Sequence, residues 1–324
     1  MVLLPFPSTL NKLASGWRIL MFCAALSGCT LPPAGGDTSN NRLKNMQLAP
    51  RQLCFSYLKD QSSKDRANWD DLVNRNVDPA SGVVPAKHVK RILKLRDGIG
   101  DKFNLDYFAL TFSAPPGKTV QEFFLEMRQA FPLFAGATGE NAFRPYGFKV
   151  LDPKDPDRIE NGKKWAQVDH TGAVMTFLLL GVSISITPFR GPEENTLTQQ
   201  YGDVQSICSS PTDFIFATVE TETSTHPVSG MRGFGLKDNG DGTWTFYSKA
   251  ADRRSNSLVN KPIVSTGFGP DVFYKGRQFW DRFYTKMKEY LESNGLKVAN
   301  NVFANCNLAE WNGTAMAACE PLKK

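Results

Sequence analysis

The sequence predicts an α+β fold, with a largely antiparallel, curved sheet packed against a long C-terminal helix and a helical extension ahead of it. Three patterns carry that expectation. The stretch 165–249 offers run after run of strand character with little helical period. Within it, Asn239-Gly240-Asp241-Gly242 separates two apolar runs, a strong hairpin signal. Finally, 276–294 places Phe279, Trp280, Phe283, Met287, Tyr290 and Leu291 on one wide helical stripe, with Gly295 as a natural stop. The 324 residues are 41% hydrophobic and 22% charged, enough apolar material to exclude a disordered chain. No run of 18 apolar residues exists, which argues against a polytopic membrane protein. Lys plus Arg (38) exceeds Asp plus Glu (32) by only 6, without a dense basic block, so nucleic acid is not an expected partner.

Residues 51–100 read as the helical extension, with apolar residues at helical steps over 51–59 and 65–74. In 87–96, Val89, Ile92 and Leu93 share a face ringed by cations. That helix would either dock by its apolar stripe or touch anionic lipid. The main α+β domain is expected over 101–300. It begins with a strand at 106–113, stopped by Ala114-Pro115-Pro116-Gly117. Thr119-Val120-Gln121-Glu122 has the form of a capping box and opens a helix that Pro132 should end or kink. A short strand at 146–151, a solvated loop at 152–157, and strands at 165–170, 173–180 and 182–187 follow. The run 213–223 alternates, and 231–236 with 243–249 form the hairpin. Calcium at the hairpin turn is disfavoured, because the Glu and the flanking helices of an EF-hand are missing.

The N-terminus reads as a targeting segment. Lys12 and Arg18 precede the apolar run 19–26, whose eight residues would reach only ~12 Å as a helix against a ~30 Å hydrocarbon core. Leu26-Ser27-Gly28-Cys29 resembles the lipobox of bacterial lipoproteins. The resemblance implies a signal peptide at 1–28 and acylation of Cys29, hence a lipid-anchored protein whose first partner is the bilayer. Thr30, where proteins kept in the inner membrane usually carry Asp, favours by the same resemblance the outer membrane, facing the periplasm. Residues 29–50 are rich in turn formers and read as a tether.

Of the six cysteines, Cys23 would leave with the signal and Cys29 would carry lipid, so Cys54, Cys208, Cys306 and Cys319 remain. An even number in an oxidising compartment suggests two disulfides. Three pairings are open; Cys306–Cys319, pinning the tail 301–324, with Cys54–Cys208 is preferred. Neither a Cys-x-x-Cys nor clustered histidines is present, so neither a metal nor another cofactor is expected.

The order strand, helix, antiparallel strands and long aromatic helix resembles the helix-grip, START-like superfamily, over about 190 residues and without a catalytic motif. That resemblance implies a cavity for a lipid or other apolar small molecule, with His226, Arg232, Arg253 and Trp280 as candidate binding or surface residues. The competing expectation is a solid aromatic core and a non-catalytic lipoprotein of interaction or immunity type, with an envelope protein as partner. A hydrolase is the weaker alternative. His226 and Ser229 with Asp252 have the residue types of a triad, but no Gly-x-Ser-x-Gly elbow is present. Glu220 and Glu222, two apart on a strand, fit either glycosidase geometry and so select neither.

Overall fold

A computed structural model describes residues 53–55, 69–135, 143–149, 152–179, 200–256 and 272–308. The expectations for residues 1–50, for the strand 182–187 and for Cys319 lie outside them. The described residues belong to one compact unit. Its centre is a large antiparallel sheet, so the fold class is α+β.

The strands are β1 (Val89–Ile92), β2 (Ile99–Ser113), β3 (Phe143–Pro145), β4 (Val174–Leu179), β5 (Gln200–Ser209), β6 (Asp213–Thr221), β7 (Val228–Asp238), β8 (Thr243–Arg254) and β9 (Val298–Leu308). They lie in the order β3-β4-β5-β6-β7-β8-β2-β9, with β1 paired to the end of β6. The helices are α1 (Asp70–Val73), α2 (Val120–Gln129), α3 (Phe131–Ala135), α4 (Pro156–Trp165) and α5 (Val272–Ser293).

Both faces of the sheet are covered, which explains why many strands are apolar on both parities. On β2, Phe108, Leu110 and Phe112 face α2, α3 and α5, while Phe103, Leu105, Tyr107 and Ala109 face the N-terminal segment. The first face is an aromatic core centred on Phe131, whose ring lies 4.7 Å from that of Phe283, 4.8 Å from Phe143 and 5.1 Å from Phe234. The second face is closed by Cys54, Phe55, Trp69, Leu72 and Ile92. Gly233 makes this closure possible: a Cβ there would come within 2.6 Å of the Phe55 ring. The Cys54–Cys208 disulfide bonds that segment to β5, and Lys249 Nζ binds Asp71 at 2.7 Å.

Several local readings need correction. Residues 87–96 are not a helix: Val89–Ile92 is a strand and Leu95–Asp97 a 3-10 turn. His88 has φ 66°, which no helix continues, and β6 offers Arg91 a cross-strand Glu220 at 2.8 Å. Tertiary pairing thus outweighs the helical spacing of three apolar residues. The segment 152–157 is not a plain loop. Asp155 accepts from the N–H groups of Asp157 and Arg158, and Pro156 opens α4, which occupies part of the stretch read as a strand at 165–170. The strand expected at 146–151 lies instead at Phe143–Pro145.

The long helix is α5, but it is not the last element, because β9 follows and pairs with β2. Strand β9 takes in part of the stretch assigned to a tail. The capping box at Thr119 and Glu122 forms as the sequence indicates, and the helix it opens stops at Gln129, before a new one that carries Pro132.

Candidate functional site

Helix α5 does two jobs along its length. Towards its C-terminal end Phe283, Met287 and Leu291 are fully buried core. Towards its N-terminal end, Phe279 and Trp280 are only half-buried and line a cavity of about 310 Å³ between the helix and the sheet. That volume is at the lower end of the range for small-molecule pockets, about 300–1,000 Å³. The wall is largely aromatic, with Phe177, Phe216 and Phe234 from the sheet opposite the helix. Phe177 meets Phe279 at 5.8 Å and Phe234 meets Trp280 at 5.5 Å, so the rings brace one another.

One end of the cavity is polar, and strand parity puts it there. Asn104 and Asp106 follow the same parity as Phe108 on β2, and Arg232 that of Phe234 on β7. Asp252 on β8 sits opposite Asn104 in register. Three neighbouring strands therefore aim Asp106, Arg232 and Asp252 at one space. Arg232 donates to Asp106 Oδ2 at 2.7 Å and to Ser248 Oγ at 3.3 Å, and its guanidinium lies 4.1 Å from the Trp280 ring centre. Asn104 Nδ2 also donates to Asp106 Oδ2, at 2.8 Å. The other oxygen, Asp106 Oδ1, is buried without a hydrogen-bond partner.

Asp252 keeps some accessible surface, lies deep in the fold and lines the cavity. Desolvation pushes its carboxyl up to about 7, assisted by the negative charge of Asp106 and opposed by Arg232 and by a hydrogen bond from Asn104. Tyr284, stacked on Phe108 below this cluster, has a phenol held protonated by burial.

Of the residues singled out in the sequence, His226, Arg232 and Trp280 line this cavity. Arg253 does not share it. It alternates with Asp252, points to the opposite face, lies over Phe103 at 5.7 Å and donates to the carbonyls of Leu95 and Gly100. His226 Nδ1 accepts the Val228 N–H at 3.1 Å, and burial lowers its pKa to about 4, so the ring is neutral at physiological pH. Ser229 alternates with the cavity-lining Val228 and is opposite Arg253 in register, hence on the far face. The His226–Ser229 pair needed for a nucleophile and base is not assembled. Glu220 is engaged by Arg91 and Glu222 approaches His88, away from the cavity.

The main site residue that sequence reasoning overlooked is Asp106. The available signal was an Asn104-x-Asp106 pair on one parity of an otherwise apolar strand, a polar interruption that a core-facing position does not tolerate without partners. Among the described residues, no three His, Cys, Asp or Glu side chains gather as a metal ion would require. None of the described helices is long and apolar enough to cross a membrane. Compared with known proteins, the chain matches no protein family and no curated sequence.

Proposed function

We propose that this chain is a lipoprotein of the bacterial cell envelope that holds an apolar small molecule between α5 and the sheet. The cavity of about 310 Å³, walled by Phe177, Phe216, Phe234, Phe279 and Trp280, is the observation that supports this reading. Phe283, Met287 and Leu291 of α5 are fully buried, whereas Phe279 and Trp280 pack on the core only in part and line the cavity. The element order up to α5, which resembles the helix-grip superfamily although β9 follows the helix, supports the same reading.

Anchoring rests on the lipobox-like Leu26-Ser27-Gly28-Cys29. Three acyl chains on Cys29 would hold the protein at the membrane, since two already suffice for stable attachment. The outer membrane is the proposed location. Mass spectrometry of the mature N-terminus checks this point, and an unmodified Cys29 thiol would exclude the anchor.

The ligand is tested by native mass spectrometry on protein purified from an oxidising compartment, followed by extraction of whatever co-purifies. A stoichiometric apolar molecule is the expected result. An empty protein that also takes up no apolar probe would refute the cavity reading in favour of a lipoprotein that acts by binding a protein partner.

A further inference from the structure

We infer that the polar end of the cavity selects a ligand carrying a primary ammonium group, so that the molecule it holds is an apolar amine. This rests on the small-molecule reading above and adds the chemistry of the head group. Donors and acceptors at the polar end do not balance. Asp106 is 3% exposed, lines the cavity, and leaves Oδ1 without a donor although Oδ2 receives two. A buried carboxylate oxygen lacking a donor is costly, and a ligand that brings one removes that cost. Asp252 is the second acid on the same cavity wall, across the sheet from Asn104.

Arg232, the cation that reaches across β8 to Asp106, is already committed. It is hydrogen-bonded to Asp106 and Ser248, with its face against Trp280. Paired with Asp106 it contributes no net charge, which leaves Asp252 as the second acid at this end, while Arg277, Arg282 and Lys286 line the α5 side. The raised proton affinity of Asp252 follows chiefly from desolvation, which the nearby charge of Arg232 offsets only in part. His226, on the same wall, is neutral and adds no positive charge.

Three head groups can be compared. A carboxylate would meet two acids and a neutral histidine, with only acceptors where donors are needed. A hydroxyl brings a single donor. An ammonium brings three donors and a positive charge to an end that holds the unpartnered Asp106 Oδ1 and the Asp252 carboxyl, and charge-assisted hydrogen bonds are roughly twice as strong as neutral ones. The aromatic wall then accommodates the alkyl or aryl body. Arg277, Arg282 and Lys286, which α5 contributes to the lining, offer the opposite preference, and a carboxylate ligand would have to be held by them.

The test compares decylamine, decanol and decanoate, matched in chain length, by isothermal titration calorimetry at concentrations below micelle formation. The full chain carrying Cys29→Ser is used, so that no acyl chain competes. The expected result is that decylamine binds at least about tenfold more tightly than decanol and decanoate. In Asp252→Asn, with folding checked by circular dichroism, that preference should collapse towards unity. Equal binding of all three would overturn the ammonium assignment and leave the apolar cavity standing. Preference for decanoate would overturn it in favour of an anion held by the α5 cations. Binding of none of the three would remove the cavity reading itself, and the head-group assignment with it.

Discussion

Replacing Asp252 by Asn should make the protein more stable at neutral and alkaline pH, and the size of the effect follows from its setting. The carboxyl titrates at 3.8 when fully hydrated and is pushed up to about 7 in the fold, chiefly by desolvation. The folded chain therefore holds this proton more tightly than the unfolded chain, and stability falls as pH rises from about 4 to about 7. At about 1.4 kcal/mol per pH unit, the gap sets a ceiling of about 4 kcal/mol above pH 7 and about 2 kcal/mol at pH 5.

Asn keeps the shape and cannot ionise, so the stability difference between variant and wild type should grow by about 2–3 kcal/mol between pH 5 and pH 8. Water entering the cavity would reduce this towards about 1 kcal/mol. The neighbouring charges are Asp106 on β2, Arg232 on β7 and Arg277 and Asp281 on α5. All are common to both proteins, so they largely cancel in the comparison. Urea unfolding at the two pH values measures it. A variant whose advantage is the same at pH 5 and pH 8, or which is less stable than wild type at pH 8, would show that Asp252 is solvated or paired and not desolvated.

Three other perturbations test the architecture. Arg232→Met strands the Asp106 carboxylate and should cost about 3–5 kcal/mol in urea unfolding, whereas a loss below about 1 kcal/mol would mean that the pair is wet. Phe131→Ala removes the ring at the centre of the aromatic core and should also cost about 3–5 kcal/mol, with a Tm drop readable by circular dichroism. Reduction of Cys54–Cys208, which spans 154 positions, should lower stability by up to about 5 kcal/mol in the chain-entropy account. An unchanged unfolding midpoint after reduction would mean that the segment around Phe55 holds the second face without its covalent tie.

Much of the sheet was legible because its signals are local. The β7–β8 hairpin is announced by Asn239-Gly240-Asp241-Gly242, and both Gly240 and Gly242 adopt positive φ. The helix after Thr119 carries its own cap. What escaped reading depends on partners far along the chain. Strand β1 is a strand because β6 lies beside it, and β9 carries Asn300 and Asn301, residues of low strand preference, yet pairs with β2 over its length. The site divides the same way. Trp280 and Arg232 stood out by residue type. Asp106 acquires its meaning only when β7 and β8 put Arg232 and Asp252 beside it, and the face to which Arg253 turns was set by one step of strand parity.

Strand order also has a consequence for how the chain is made. Among the described strands β2 is second in sequence, yet its neighbours are β8 and β9, the last two. About 130 positions separate Ser113 from Thr243, where its first partner begins. At about 5–20 residues per second, a ribosome leaves β2 without either neighbour for roughly 7–26 s. During that interval a 15-residue strand, apolar on both parities over much of its length, has no native pairing available. Such a nascent chain exposes apolar surface that favours aggregation, and its folding rate should be governed by long-range closure of β2 onto β8.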